Sequence, residues 1–114
     1  MAKIKVKSPL ESAVQNTICE YLTLKRAFFW RQNTAPTIQK NGDKWSFRRM
    51  PKYAIKGVAD IIVIGKNGQA IFLEVKRVGV KQSPEQKEFQ IRAELKGAIY
   101  HVVSSLDDVV KIGL

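Results

Sequence analysis

The sequence predicts a mixed α/β domain, a small central sheet flanked by helices. Three observations predict it. Two apolar runs, Ile61-Ile62-Val63-Ile64-Gly65 and Ala70-Ile71-Phe72-Leu73-Glu74-Val75-Lys76, flank a break containing Asn67-Gly68. That is the pattern of a β-hairpin with both strands buried. Two stretches that open on Ser-Pro, at Ser8 and at Ser83, read as helix starts. The elements follow as helix, strand, hairpin, central hairpin, helix, strand, helix, with no repeat, low-complexity tract or linker between them. A chain of 114 residues, 45% of them hydrophobic, is expected to make one domain, 1–114, around one core.

Residues 1–7 read as a short basic arm. Ser8-Pro9-Leu10-Glu11 then suits a helix start, with Ser8 as cap, Pro9 in the first helical position and Glu11 closing an S-x-x-E box. The helix is expected to run to about Lys25. At 100° per residue, Val14, Ile18, Tyr21 and Leu22 share one apolar stripe. Glu11 falls beside that stripe and Glu20 nearly opposite, so Glu11 faces the central hairpin unless capping is its whole role. Gln15, one turn on, lines the same place or borders the core. The aromatic run 27–32 forms the first strand. A second, more exposed hairpin spans Thr37 to Arg49 across Asn41-Gly42-Asp43. After the central hairpin, Ser83 caps a helix with Pro84 first and Gln86 completing a capping box; Gly97 ends it. Ala98–Val103 is the last strand, at one side of the sheet. A short serine-capped helix runs to Lys111. His101, alone in its strand, receives no catalytic role.

The chemistry concentrates at one end of the central hairpin. Asp60 begins its first strand; Glu74 and Lys76 end its second. Antiparallel pairing makes those ends neighbours, and alternation puts Glu74 and Lys76 on one side with Val75 turned to the core. Charges at the end of an apolar ribbon are costly unless they pair, bind a metal or do chemistry. Lys76 pairing with Glu74 or Asp60, without a metal, is the bland alternative. Two carboxylates against one lysine, however, make a negative pocket in a chain of net charge +10, and that favours a cation.

The set Asp60…Glu74-x-Lys76 resembles the PD-(D/E)XK nuclease core. Gly57-Val58-Ala59-Asp60, Glu74-Val75-Lys76 and Ser83-Pro84-Glu85-Gln86 resemble one branch of it, the virus-type replication-repair nuclease (VRR-NUC) family, over about residues 11–103. Ala59 stands where the family has proline, which bears on turn rigidity rather than ligation. The resemblance implies a restriction-endonuclease-like core and a metal-dependent endonuclease, with Glu11, Asp60, Glu74, Lys76 and Gln86 at the site. Mg²⁺ or Mn²⁺ suits hard oxygen donors: Asp60, Glu74, the Val75 carbonyl and Glu11. Lys76 would orient or deprotonate water, or stabilise charge on the phosphate. Stand-alone members of phage type imply branched DNA, such as four-way junctions or flaps, and a homodimer.

Composition agrees with a polyanionic partner. Lys and Arg number 20 against 10 Asp and Glu. Lys40, Lys44, Arg48, Arg49, Lys52 and Lys56, with Arg77 and Lys81 after the central hairpin, are the expected nucleic-acid contacts. Among them lie Trp45, Phe47 and Tyr53, which either stack on bases or anchor the hairpin. A non-catalytic basic binding module and a sequence-specific restriction-type nuclease are the competing readings. The single cysteine, Cys19, leaves no internal disulfide and suits a reducing cytosol. One Cys and one His make a structural zinc site unsupported. No run reaches the ~18 apolar residues of a spanning helix, nor does the start carry a signal-peptide core, so no membrane partner is expected.

Overall fold

A computed structural model describes residues 10–32 and 51–114, and the backbone of 37–41 and 44–48. The element order is α1 (Glu11–Leu24), β1 (Phe28–Arg31), β2 (Thr37–Asn41), β3 (Lys44–Arg48), β4 (Ile61–Ile64), β5 (Ala70–Val75), α2 (Pro84–Leu95), β6 (Ile99–Val103) and α3 (Leu106–Lys111). Four strands form one sheet in the order β1-β4-β5-β6; β2 and β3 pair separately as an antiparallel hairpin.

The β-branched run of β4 pairs antiparallel with β5, Ile61 opposite Leu73 and Ile64 opposite Ala70. The turn between them needs two left-handed residues, Asn67 (φ 62°) and Gly68 (φ 75°), which explains the Asn-Gly break. Gly65 N–H donates to the Gln69 carbonyl at 2.8 Å and closes the ribbon. β1 flanks β4 antiparallel, with Arg31 opposite Ile61. β6 lies parallel to β5, Glu74 opposite Val102 and Val75 opposite Val103, so α2 is the crossover that parallel pairing demands.

The core occupies one face of this sheet. Ile61, Val63, Ile71, Leu73, Val75 and Val103 meet Ile18 and Leu22 of α1 and Val109 of α3. Val14 and Tyr21, the rest of the expected stripe, pack against that cluster, and Tyr21 Oη donates to the Leu114 carbonyl at 2.6 Å. Glu20 is exposed, as its position on the helical wheel requires.

The start of α1 corrects the sequence reading. Leu10, with extended backbone, is the N-cap and contributes no side-chain cap; Glu11 is the first helical residue rather than the third. Its carboxylate Oε2 accepts from Arg77 N–H at 3.3 Å. Ser8, Pro9 and the basic arm lie outside the described residues. The second box forms as expected: Gln86 N–H donates to Ser83 Oγ at 3.2 Å, and Ser83 N–H to Gln86 Oε1 at 2.8 Å. Ser105 likewise caps α3, accepting from Asp108 N–H at 3.3 Å. Among the described residues, no helix is long and apolar enough to cross a membrane.

Candidate active site

Hairpin register brings Asp60 and Glu74 together. Ile61 opposes Leu73, so the next position outward sets Asp60 beside Glu74. Asp60 Oδ2 accepts from Val75 N–H at 2.8 Å, which pins the aspartate across the strand end. Gln32 N–H donates to the Asp60 carbonyl at 2.8 Å and ties the same residue to the end of β1. Asp60 is thus held from both neighbouring strands.

Glu74 does not project from the ribbon end. It is 1% exposed, the only buried charged residue among those described. Burial pushes its carboxyl up to about 9; a hydrogen bond to Asp60 and the Asp60 charge add to the rise, while Lys76 and the Tyr100 hydroxyl oppose it. Burial and the neighbouring Asp60 charge both disfavour ionisation of Glu74. Tyr100 Oη donates to Glu74 Oε1 at 3.4 Å and in turn accepts from Gln82 Nε2 at 3.2 Å. Lys76 is half-buried, its backbone N–H donating to the Val103 carbonyl at 2.9 Å. Its charge acts on Glu74 against the rise.

Gly57 explains why the approach to Asp60 begins with glycine. Its φ is +79°, and a Cβ there would stand 2.5 Å from the carbonyl carbon and oxygen of Glu85 and 2.7 Å from Gln86 N. The loop before Asp60 thus packs directly on the first turn of α2, and only a residue without a side chain fits. Contact through Gly57 carries the Ser83–Gln86 cap to the neighbourhood of the acid pair.

Other predicted residues are placed less centrally. Glu11 reaches the β5 extension at Arg77, and a cavity of about 40 Å³ lined by Glu11, Val14, Val75, Lys76, Arg77, Val78 and Ser104 opens there. It does not complete a set with Asp60 and Glu74: no three acidic, His or Cys residues among those described lie close enough to hold one ion. Gln15 Oε1 accepts from Arg31 Nη2 at 2.9 Å, and Asn16 Oδ1 from Arg31 Nη1 at 2.7 Å. Lys52, Lys56 and Lys81 are exposed and Arg77 half-buried. Tyr53 is 88% exposed with Lys52 Nζ 5.1 Å above its ring, so it anchors nothing. Arg49 lies outside the described residues, as do the side chains of Lys40, Lys44, Trp45, Phe47 and Arg48.

Tyr100, Gln82 and Arg31 carry no functional expectation from sequence. Tyr100 pairs with Phe72 and meets Glu74 diagonally, two residues along the same face, through the parallel register of β5 and β6, which no local pattern announces.

No protein-family model and no curated protein matches the chain. Among solved structures, one described as "VRR_NUC domain" superposes with a TM-score of 0.62 at 25% identity, covering 90% of this chain and 91% of that one. This likeness supports membership of the VRR-NUC family. The mixed four-stranded sheet with its three helices is the fold of that family. Asp60 and the buried Glu74 together have the donor chemistry of a divalent cation site. Their oxygens are hard ligands, and a cation would offset the cost of ionising Glu74 beside Asp60.

Proposed function

We propose that this domain is a divalent-metal-dependent endonuclease, using Mg²⁺ or Mn²⁺ to hydrolyse phosphodiester bonds of branched DNA, four-way junctions or flaps, as a homodimer. The observation that carries the reading is Asp60 set beside the buried Glu74, with the Lys76 charge acting on the same carboxyl, inside a chain of net charge +10. A carboxylate pair with no basic mate of its own depth is expensive to keep for stability alone.

When bound, the cation supplies neutralisation of phosphate charge and a more acidic water. The chain's own residues do the rest. Asp60 and Glu74 present the anionic oxygens, and the Val75 carbonyl is a third. Lys76 holds positive charge at the same rim, where it orients or deprotonates the attacking water or steadies charge on the phosphate. Glu11, one strand end away, contributes through water or holds a second ion. Gln86 adds a side-chain amide from the α2 cap. Lys40, Lys44, Arg48, Arg49, Lys52, Lys56, Arg77 and Lys81 contact the phosphate backbone, and exposed Tyr53 offers a ring for stacking. Resemblance to stand-alone family members supports branched DNA and a dimer, because paired symmetric incisions require sites related by a two-fold axis.

The test is a panel of synthetic junctions, flaps, single strands and duplexes with Mg²⁺ and Mn²⁺, run on the native chain, Asp60→Asn and Glu74→Gln. Metal-dependent cutting of branched DNA by the native chain alone, with both variants still binding, is expected. Binding without cleavage under every metal condition would overturn the reading in favour of a non-catalytic module. A fixed sequence at every cut would favour a restriction-type nuclease.

A further inference from the structure

Behind Glu74 runs a hydrogen-bond chain with a defined direction. Gln90 Oε1, on α2, accepts from Gln82 Nε2 at 3.1 Å. The same Nε2 donates to Tyr100 Oη at 3.2 Å. A hydroxyl has one proton to give, and a carboxylate oxygen, Glu74 Oε1, stands 3.4 Å from Tyr100 Oη to receive it. Tyr100 is itself buried, its ring 6.2 Å from that of Phe89, so the hydroxyl has little freedom to turn elsewhere.

The geometry points to Tyr100, set by Gln82, as a positioning residue that fixes the rotation of the Glu74 carboxylate for a divalent cation shared with Asp60. This rests on the cation-binding reading of the site. Oε1 is tied to the tyrosine, and the remaining coordination of the carboxylate is turned toward Asp60. Gln90 fixes which way the Gln82 amide faces, and Gln82 fixes which way the tyrosine proton points. A crossover helix that buries no residue of its own thereby controls a ligand on the sheet. Outer-shell partners of this kind are worth about 10–100-fold in metal affinity.

The test is Mn²⁺ binding to the full chain, measured by titration calorimetry without DNA, beside the unfolding midpoint of each metal-free variant. Tyr100→Phe keeps the ring against Phe89 and removes only the donor. It is expected to weaken Mn²⁺ about 10-fold with little change in metal-free stability. Gln82→Met, in the loop before α2, should weaken Mn²⁺ less, and the double variant should be no worse than Tyr100→Phe, because one residue acts through the other. An Mn²⁺ affinity for Tyr100→Phe within about twofold of native, or losses that simply add in the double variant, would overturn the inference. If Glu74→Gln loses Mn²⁺ while Tyr100→Phe does not, only this inference falls. If the native chain binds no Mn²⁺, the cation reading falls with it.

Discussion

The two faces of the central sheet are built for different purposes. On one, Ile61, Val63, Ile71, Leu73, Val75 and Val103 close against α1 and α3 with Ile18, Leu22 and Val109, all buried. On the other, alternation presents Ile62, Phe72, Glu74 and Tyr100 to α2, a helix with no buried residue. Phe72 and Phe89 meet edge to face with centroids 5.0 Å apart, but Ile91 is 58% and Leu95 79% exposed. Phe28 and Trp30, on β1, continue this face into solvent. One face supplies the cohesion of the fold; its opposite accommodates a buried acid at the margin of a thinner layer. Leucines on the two sides of the sheet then differ sharply. Leu73→Ala opens a cavity in the closed face and should cost about 2–5 kcal/mol in urea unfolding. Leu95→Ser, on α2, should stay within about 0.5 kcal/mol. Equal losses at the two positions would erase the distinction.

Gly57 joins the open face to the strand end, and it gives the next largest effect. Gly57→Ala must hold an alanine at φ +79° and also push its Cβ off the α2 backbone, with Glu85 carbonyl atoms 2.5 Å away. Backbone strain of this kind costs about 1–3 kcal/mol, and the collision adds to it. Because relief requires the first turn of α2 to move from the loop before Asp60, Mn²⁺ affinity should fall along with stability. A variant as stable as native would show that the 57–60 loop and the helix separate at little cost.

The sequence carried most of the scaffold and the acid pair, for physical reasons that reside in short stretches. Ile61–Ile64 and Ala70–Val75 are β-branched and apolar, and Asn67-Gly68 takes the left-handed turn between them, so register follows from local chemistry. That register alone set Asp60 beside Glu74. The two Ser-Pro starts show the limit of local spelling. Ser83 and Gln86 form their reciprocal cap, whereas Glu11, in the matching position of the first box, opens its helix and bonds Arg77 across 66 residues of sequence. Depth was equally hidden: alternation gave Glu74 its side of the strand, but its burial depends on α2 and Tyr100, brought there by a parallel crossover. The clamp of Arg31 on Gln15 and Asn16 is likewise a meeting of α1 with β1 that no window of the sequence contains.

The buried acid also makes the open face sensitive to pH, in a direction the closed face does not share. Glu74 is held up at about 9 by burial first and by Asp60 second. In the unfolded chain it titrates in the ordinary carboxylate range. Between that range and about 9 the folded chain binds the extra proton, so unfolding stability falls as pH rises through the window. One proton sets a ceiling of about 1.4 kcal/mol per pH unit, and solvent reaching the strand end keeps the slope below it, which makes this the smallest of the three effects per unit. Glu74→Gln keeps the shape and the hydrogen-bonding reach of the protonated acid and removes its titration, so its urea midpoint should lose less between pH 6 and pH 8.5, an interval inside the window of about 5 to 9. Leu73→Ala should lower stability at every pH without altering the slope. Mn²⁺ should flatten the native slope as well, since a cation that replaces the Glu74 proton stabilises the ionised carboxylate most where protons are scarce. Parallel pH profiles for the native chain and Glu74→Gln would mean that burial does not hold Glu74 protonated, and a cation would then replace no proton there.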